Sequence, residues 1–253
     1  MGKFHGEPEI SGTKRKRNFI KNKKAQMIIG NGLIAKSLLS IDVESVLFFA
    51  SGVSNSLENR ESEFEREHAL LKNTIENHPG KTFVYFSTCS IYDSSKNNSH
   101  YVLHKLKMEQ IIADSCQQYF ILRVSNAVGK GGNPNLLINY LVREIENNQK
   151  ITVHTKATRN LIDVQDVSTI TQEIIAHFKP NQIINLAYLQ NFSIIEITET
   201  ISDVLETEPI LQLQNEGSGY EIEVSKIESY FKRNNLNDKE QYLRNLISKY
   251  YKI

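Results

Sequence analysis

Residues 81–109 read KTFVYFSTCSIYDSSKNNSHYVLHKLKME, and this stretch decides the fold of the chain. It begins with an apolar, β-branched and aromatic run over 82–86, which is typical of a buried strand. A hydroxyl-rich turn over 87–90 and a short polar loop then lead into a predicted helix. Tyr101 and Lys105 are four residues apart, so that helix places them on one face, one turn from each other. A hydroxyl at the end of a strand, facing a Tyr and a Lys on the next helix, indicates proton-transfer chemistry.

The composition is that of an ordinary globular protein. Of the 253 residues, 40% are apolar and 23% are charged, which favours a soluble domain with a buried core. No stretch approaches the roughly 20 apolar residues of a membrane span, and no secretory signal pattern is present. Two cysteines cannot form a disulfide framework or a four-cysteine metal site. We therefore expect a reduced, cytoplasmic protein without a metal site or a membrane partner.

Positive charge is concentrated in residues 1–26, which hold eight Lys and Arg residues against two Glu residues. This segment is poor in apolar residues, so we predict a disordered arm. The arm has two interpretations. It could bind nucleic acid through its positive charge, or it could be a solvated extension, which is the more common behaviour of such charge blocks.

A glycine turn follows the first apolar run. Gly30, Asn31 and Gly32 separate the short predicted strand at 27–30 from a helical pattern that begins at Leu33. Gly30 permits a tight turn, and Gly32 lets the backbone approach a diphosphate, which the free N–H groups at the helix start would face. In this strand–turn–helix context the motif predicts dinucleotide binding, and the alternative is a tight turn with no ligand. The predicted cofactor contacts are Gly30, Asn31, Gly32, Leu33 and Ile34.

Strand-like runs alternate with helical patterns along most of the chain, which predicts an α/β fold with a doubly wound parallel sheet. We divide the chain into the basic arm, a Rossmann-like domain over 27–205, and a small C-terminal segment over 206–253 that is polar and mostly helical. Ligands of such sheets bind at the carboxyl ends of the strands. Ser51 and Ser87 follow two of the predicted strands and are further candidates for cofactor contacts.

Six motifs in this order resemble the extended short-chain dehydrogenases/reductases, the family of NAD-dependent nucleotide-sugar epimerases, dehydratases and ketoreductases. The resemblance runs from about residue 27 to about residue 205. The motifs are GNGLIA at 30–35, VLFFASG at 46–52, FSTCSIY at 86–92, YVLHK at 101–105, LRVSNAVGKG at 122–131 and RNLIDVQDV at 159–167.

The resemblance implies a role for each matching residue. Thr88 would bind the sugar hydroxyl or carbonyl, and Tyr101 would be the general acid and base. Lys105 would bind the nicotinamide ribose of NAD or NADP, and its charge would lower the Tyr101 pKa. Asn126 and Arg159 would contact the substrate. From the residues alone, Asn126 could instead cap a turn, and Arg159 could pair with a nearby aspartate, either Asp163 or Asp166.

The chain also departs from the family pattern. An acidic or basic residue that reads the adenosine ribose usually lies ~20 positions after the glycines. Here the only nearby acids, Asp42 and Glu44, precede the next strand. Because VLFFASG resembles the fourth strand of the family, we predict that the second and third strands are missing. Cys89 and Ser90 replace the Asp-Glu pair of the 4,6-dehydratases, which disfavours dehydration.

Taken together, the resemblance implies an NAD(P)-dependent epimerase or ketoreductase that acts on a nucleotide-activated sugar in surface polysaccharide biosynthesis. It also implies a homodimer formed through the Tyr101 helix and the helix before it. The alternative is a catalytically degenerate module that binds NAD(P) or a nucleotide without turnover.

Overall fold

The computed structural model describes residues 1–2, 27–131, 133–134 and 136–252. The predicted arm over 1–26 therefore lies outside the described residues, apart from its first two. The strands are β1 (Ile28–Ile29), β2 (Val46–Phe49), β3 (Thr82–Thr88), β4 (Tyr119–Val124), β5 (Asn126–Val128), β6 (Lys150–His154), β7 (Thr158–Arg159), β8 (Leu161–Asp163), β9 (Gln182–Leu186), β10 (Phe192–Ser193) and β11 (Ile210–Gln214). The helices are α1 (Leu33–Ser37), α2 (Glu61–Asn77), α3 (His100–Ser115), α4 (Leu137–Glu146), α5 (Val164–His177), α6 (Ile194–Leu205), α7 (Glu228–Arg233) and α8 (Lys239–Tyr251).

A five-stranded parallel sheet in the order β1-β2-β3-β4-β9 forms the centre of the molecule. This confirms the predicted Rossmann-like α/β fold. Between β1 and β2, residues 30–45 form only α1 and a 3-10 turn at Leu38–Ile41, so β1 pairs directly with β2. The predicted loss of two strands is thus confirmed, and among the residues that the structure describes β1 is the edge strand of the sheet instead of a central one.

The lost strands also change the chirality of the first crossover. Alternate residues of the strands face opposite sides of the sheet: Phe48 packs in one core with α1, α4, α5 and α6, and Phe49 in a second core with α2 and α3. The connections β1–α1–β2 and β2–α2–β3 step in the same direction but cross opposite faces, so they have opposite hands. Parallel crossovers are nearly always right-handed. In the family pattern the helix after the first strand leads to a second strand on the side of β1 away from β2. Here α1 leads to β2 instead, and this change of direction explains why the first connection has the opposite hand.

The C-terminal segment is less helical than we expected. Residues 210–214 form β11, which pairs in parallel with β6, and a loop follows it. The rest of the segment joins the core through α8, which packs on α6. Buried Asp166 on α5 also joins the segment to the core, because it accepts hydrogen bonds from the hydroxyls of Tyr230 on α7 and Tyr242 on α8 at 2.7 and 2.8 Å. None of the helices described is both long and apolar enough to cross a membrane.

Candidate active site

The glycine turn needs glycine at its first position and leaves open space at Gly32. Gly30 has a φ of +130°, and a Cβ atom there would lie 2.3 Å from the carbonyl oxygen of Ala50, so only glycine fits. Gly32 caps α1 and is exposed, and a Cβ atom there would have no neighbour within 4 Å. The space in front of the helix is therefore open. The turn lies beside the end of β2, where Ser51 follows Ala50, as the sequence predicted.

Thr88 and Tyr101 are brought together as predicted. β3 ends at Thr88, and Ser99 accepts a hydrogen bond from the Val102 N–H at 3.2 Å and thereby starts α3. This places the Tyr101 hydroxyl close to the Thr88 side chain, which acts on the Tyr101 pKa. Both residues are buried. The arrangement suits proton transfer to or from a small group held at the carboxyl end of β3.

Tyr101 is protonated at neutral pH in this state. Burial and the negative charge of Glu67 raise its pKa to about 12, although the nearby Thr88 side chain opposes the rise. The expectation that Lys105 lowers this pKa is therefore wrong here. The Lys105 ammonium lies 6.0 Å from the centre of the Tyr101 ring, and its charge is balanced by Glu67 at 3.0 Å.

Lys105 lies in a buried polar cluster that the sequence analysis missed. Its ammonium donates to a carboxylate oxygen of Glu67 at 3.0 Å and to the Tyr85 hydroxyl at 3.1 Å. Glu67, on α2, also accepts from the Tyr85 hydroxyl, from the Val53 N–H and from the His104 ring at 2.6, 2.7 and 3.0 Å. These donors and Lys105 hold the pKa of Glu67 well below its usual value against the opposing effect of burial.

One signal in the sequence could have revealed Glu67. The apolar stripe of α2 includes Phe64, Leu71 and Ile75, and Glu67 lies between the first two at helical spacing. A glutamate on the buried face of a helix is rarely tolerated without a partner. The apolar stripe of α2 thus contained one glutamate, Glu67, that needed a buried cation as its partner.

The Ser87 hydroxyl, a predicted cofactor contact, is bound to Glu109 on α3. It donates to Glu109 at 2.5 Å, and Glu109 forms a 2.6 Å ion pair with Arg123. The neighbouring Cys89 is also engaged, because its thiol donates to the Arg123 carbonyl at 3.1 Å. Burial raises the pKa of this thiol. The Cys89 thiol therefore stays protonated in its buried position, and the expectation against dehydration remains a prediction.

Asn126 and Arg159 hold loops in this structure. The Asn126 side-chain amide donates to the Asn160 carbonyl at 2.7 Å, next to a backbone bond to the same oxygen. Arg159 donates to the carbonyls of Thr158 and Ser218 at 2.7 and 3.2 Å. Within the described residues, Arg159 forms no ion pair with the two nearby aspartates, so that alternative is wrong.

The loop after β11 reaches the active site, which the sequence did not indicate. The Tyr220 hydroxyl lies close enough to Ser90, Asp93 and Arg159 for these groups to act on its pKa, which burial raises. The Tyr220 carbonyl accepts from the Asn191 side chain at 2.8 Å. Tyr220 therefore lies between the turn after β3 and the Arg159 region.

Comparisons with known proteins agree with this architecture. Residues 9–187 match the sequence model of the NAD dependent epimerase/dehydratase family. The structure of RMD from Pseudomonas aeruginosa complexed with NADPH is similar, with a TM-score of 0.63 and 16% identity, covering 81% of this chain and 80% of that one. No curated protein matches the sequence significantly.

Two epimerases from Bacillus cereus have the same fold. UDP-N-acetylglucosamine 4-epimerase gives a TM-score of 0.61 at 17% identity, covering 86% of this chain and 78% of that one. UDP-glucuronic acid 4-epimerase in complex with NAD gives 0.60 at 16% identity, covering 83% and 77%. At these identities the likeness concerns the fold. No cluster of potential metal ligands occurs among the residues that the structure describes.

Proposed function

Because the chain belongs to the NAD dependent epimerase/dehydratase family, we propose that it is an NAD(P)-dependent epimerase or ketoreductase of a nucleotide-activated sugar. The observation that carries this proposal is that Thr88 and Tyr101 lie close together at the carboxyl end of β3, with Lys105 on the same helix face. From the resemblance we further propose that the enzyme acts in the cytoplasm, in surface polysaccharide biosynthesis. Its substrate class follows the similar structures, two of which are named as epimerases of UDP-sugars.

The residues at the carboxyl end of the sheet fit a nicotinamide dinucleotide. The open space at Gly32 suits a diphosphate held by the turn at 30–34, with Ser51 beside it. When bound, the nicotinamide accepts or supplies the hydride. Asp42 accepts from the Met27 N–H at 3.2 Å, at the amino end of β1, so it does not lie where the adenosine ribose is read. We therefore propose both NAD and NADP as candidate cofactors.

In the reductive direction of this proposal, Tyr101 acts as a general acid. It is protonated at neutral pH, and it would donate its proton to a sugar carbonyl oxygen near the Thr88 hydroxyl. In the oxidative direction, which an epimerase requires, Tyr101 would first have to release its own proton, and the resulting phenolate would then accept the proton of the sugar hydroxyl. Arg159 and Asn126 remain proposed substrate contacts, and both would have to exchange a loop carbonyl for the substrate.

A second candidate function is a nucleotide-binding module without turnover. The observation in its favour is the position of β1 at the edge of the sheet, which removes the strand that reads the adenosine half of the cofactor. The two candidates differ in a simple test. The module would bind a nicotinamide cofactor or a nucleotide but would not convert a UDP-sugar.

Replacing Gly32 by Ala is expected to weaken cofactor binding without unfolding the protein. The added methyl group meets no protein atom, so it projects into the space proposed for the diphosphate. We expect at least about a tenfold loss of NADH or NADPH affinity, measured by isothermal titration calorimetry. The matched variant Gly30→Ala should instead lose about 2 kcal/mol or more of folding stability, because its Cβ meets the Ala50 carbonyl. Unchanged affinity in Gly32→Ala would contradict the proposed site.

The homodimer remains a proposal, and exposed leucines on α3 support it. Leu103 and Leu106 are 51% and 39% exposed and lie three residues apart, so they share one face of the helix. We expect the chain to form a dimer, and Leu103→Asp with Leu106→Asp to convert it to a monomer in light scattering coupled to size exclusion. Leu213→Asp is a matched control, since this residue is 59% exposed on β11. A monomeric wild type would refute the interface.

A further inference from the structure

The Lys105 ammonium is fixed on all but one side. An ammonium has three N–H donors, and two of them are used by Glu67 and Tyr85 at 3.0 and 3.1 Å. The backbone of Gly52 closes a further side, since a Cβ atom built there would lie 2.3 Å from the ammonium nitrogen. Lys105 is thus left with one N–H donor and one orientation. Only 2% of its surface is exposed.

Burial of this kind removes the charge of a lysine unless a counter-ion keeps it. Desolvation lowers the pKa of Lys105, and Glu67 opposes that effect. Glu109 is also near, but its carboxylate is held by Ser87 and Arg123. Glu67 is therefore the carboxylate that touches the ammonium. The titratable and charged groups around the pair are Arg66 on α2, Tyr85 on β3, and Tyr101, His104 and Glu109 on α3.

We propose that Glu67 is a positioning residue for Lys105: its buried carboxylate keeps the ammonium charged and holds it in one orientation for the sugar of the cofactor. The charge-keeping part of this inference depends only on the buried cluster. The cofactor part rests on the proposed function. Two measurements therefore test the two parts separately.

The first measurement is the pH dependence of stability in Glu67→Gln. In this isosteric variant Lys105 is buried without a counter-ion. Its pKa in the folded protein therefore lies below its value of ~10.4 in the unfolded chain. The unfolded state then takes up protons as the pH falls, and stability decreases in that direction. We expect the midpoint of urea unfolding of Glu67→Gln to fall relative to wild type between about pH 9 and pH 6.

Paired variants identify the group that titrates. The pH-dependent difference should vanish in Glu67→Gln with Lys105→Met, and it should persist in Glu67→Gln with His104→Gln. A difference that persists without Lys105, or no difference in Glu67→Gln, would overturn the proposal. If Glu67→Gln does not fold, Lys105→Met is compared with the double variant. The double variant must then be the more stable of the two, and the reverse order would overturn the proposal.

The second measurement is NADPH and NADH affinity by calorimetry. We expect wild-type affinity to change less than about threefold between about pH 6 and pH 9, because the charge of Lys105 is held. The cofactor affinity of Glu67→Gln should fall about tenfold or more as the pH rises from about 6 to 9, because Lys105 loses its charge. Lys105→Met should bind the cofactors weakly at both pH values. Parallel pH profiles in all three proteins would overturn the positioning role. If the wild type binds neither cofactor, the proposed function fails, whereas the unfolding experiment still decides the role of Glu67.

Discussion

Substituting Tyr101 by Phe is expected to lower turnover by about 10³-fold, on the order of 4 kcal/mol of transition-state stabilisation. The variant lacks only the hydroxyl that lies close to Thr88 and that we propose exchanges the proton with the sugar. The ring remains, so the helix face and the buried cluster around Lys105 should be preserved. Turnover is measured with UDP-N-acetylglucosamine and UDP-glucuronic acid as sugar nucleotides and NAD(H) or NADP(H) as cofactors.

The control for this experiment is Tyr140→Phe. Tyr140 lies on α4, is 38% exposed and contacts Arg143 through its ring, so its hydroxyl has no place in the proposed chemistry. We expect cofactor affinity to stay within about threefold of wild type in both variants. Undiminished turnover in Tyr101→Phe would remove this residue from the mechanism. A wild type that binds cofactor and converts no sugar nucleotide would favour the non-catalytic module.

Substituting Lys105 by Met is expected to destabilise the fold by about 3–5 kcal/mol, because it leaves the Glu67 carboxylate buried without its cation. Glu67 is fully buried and keeps only its neutral donors and His104 in this variant. Restoring the charge balance with Glu67→Gln should recover most of the loss, to within about 2 kcal/mol of wild type. The measurement is urea unfolding at one pH of the wild type, Lys105→Met, Glu67→Gln and the double variant.

The cycle is informative because independent sites and a coupled pair predict opposite orders of stability for Lys105→Met and the double variant. Two independent sites would give additive losses, so the double variant would be the least stable. A coupled buried pair requires the double variant to be more stable than Lys105→Met. Additive losses would show that Glu67 and Lys105 do not depend on each other, although they are 3.0 Å apart in the structure.

The sequence predicted the parts of the site that depend on local order along the chain. Thr88 ends a strand and Tyr101 begins the next helix, so parallel topology alone brings them to the same edge. The missing strands could also be inferred, because the distance from Ala35 to the run at 46–49 leaves room for only one helix. These predictions required no knowledge of side-chain packing.

The rest depends on contacts between elements that are distant in sequence. Glu67 and Lys105 are 38 residues apart, and their pairing follows from how α2 and α3 pack on the same face of the sheet. Burial and the charge of Glu67 raise the Tyr101 pKa, whereas Lys105 was expected to lower it. In the same way, Arg159 meets the carbonyl of Ser218, 59 residues away, in a loop that had no recognisable pattern.

Native mass spectrometry of the purified protein tests the central claim most directly. We predict that the chain carries NAD or NADP on purification, or gains the mass of one such molecule per subunit when the cofactor is added. Gly32→Ala should lose this species, and Tyr101→Phe should keep it. Absence of any nicotinamide adduct in the folded wild type, at cofactor concentrations of about 1 mM, would contradict the account, since enzymes typically have KM values of about 1 μM to 1 mM.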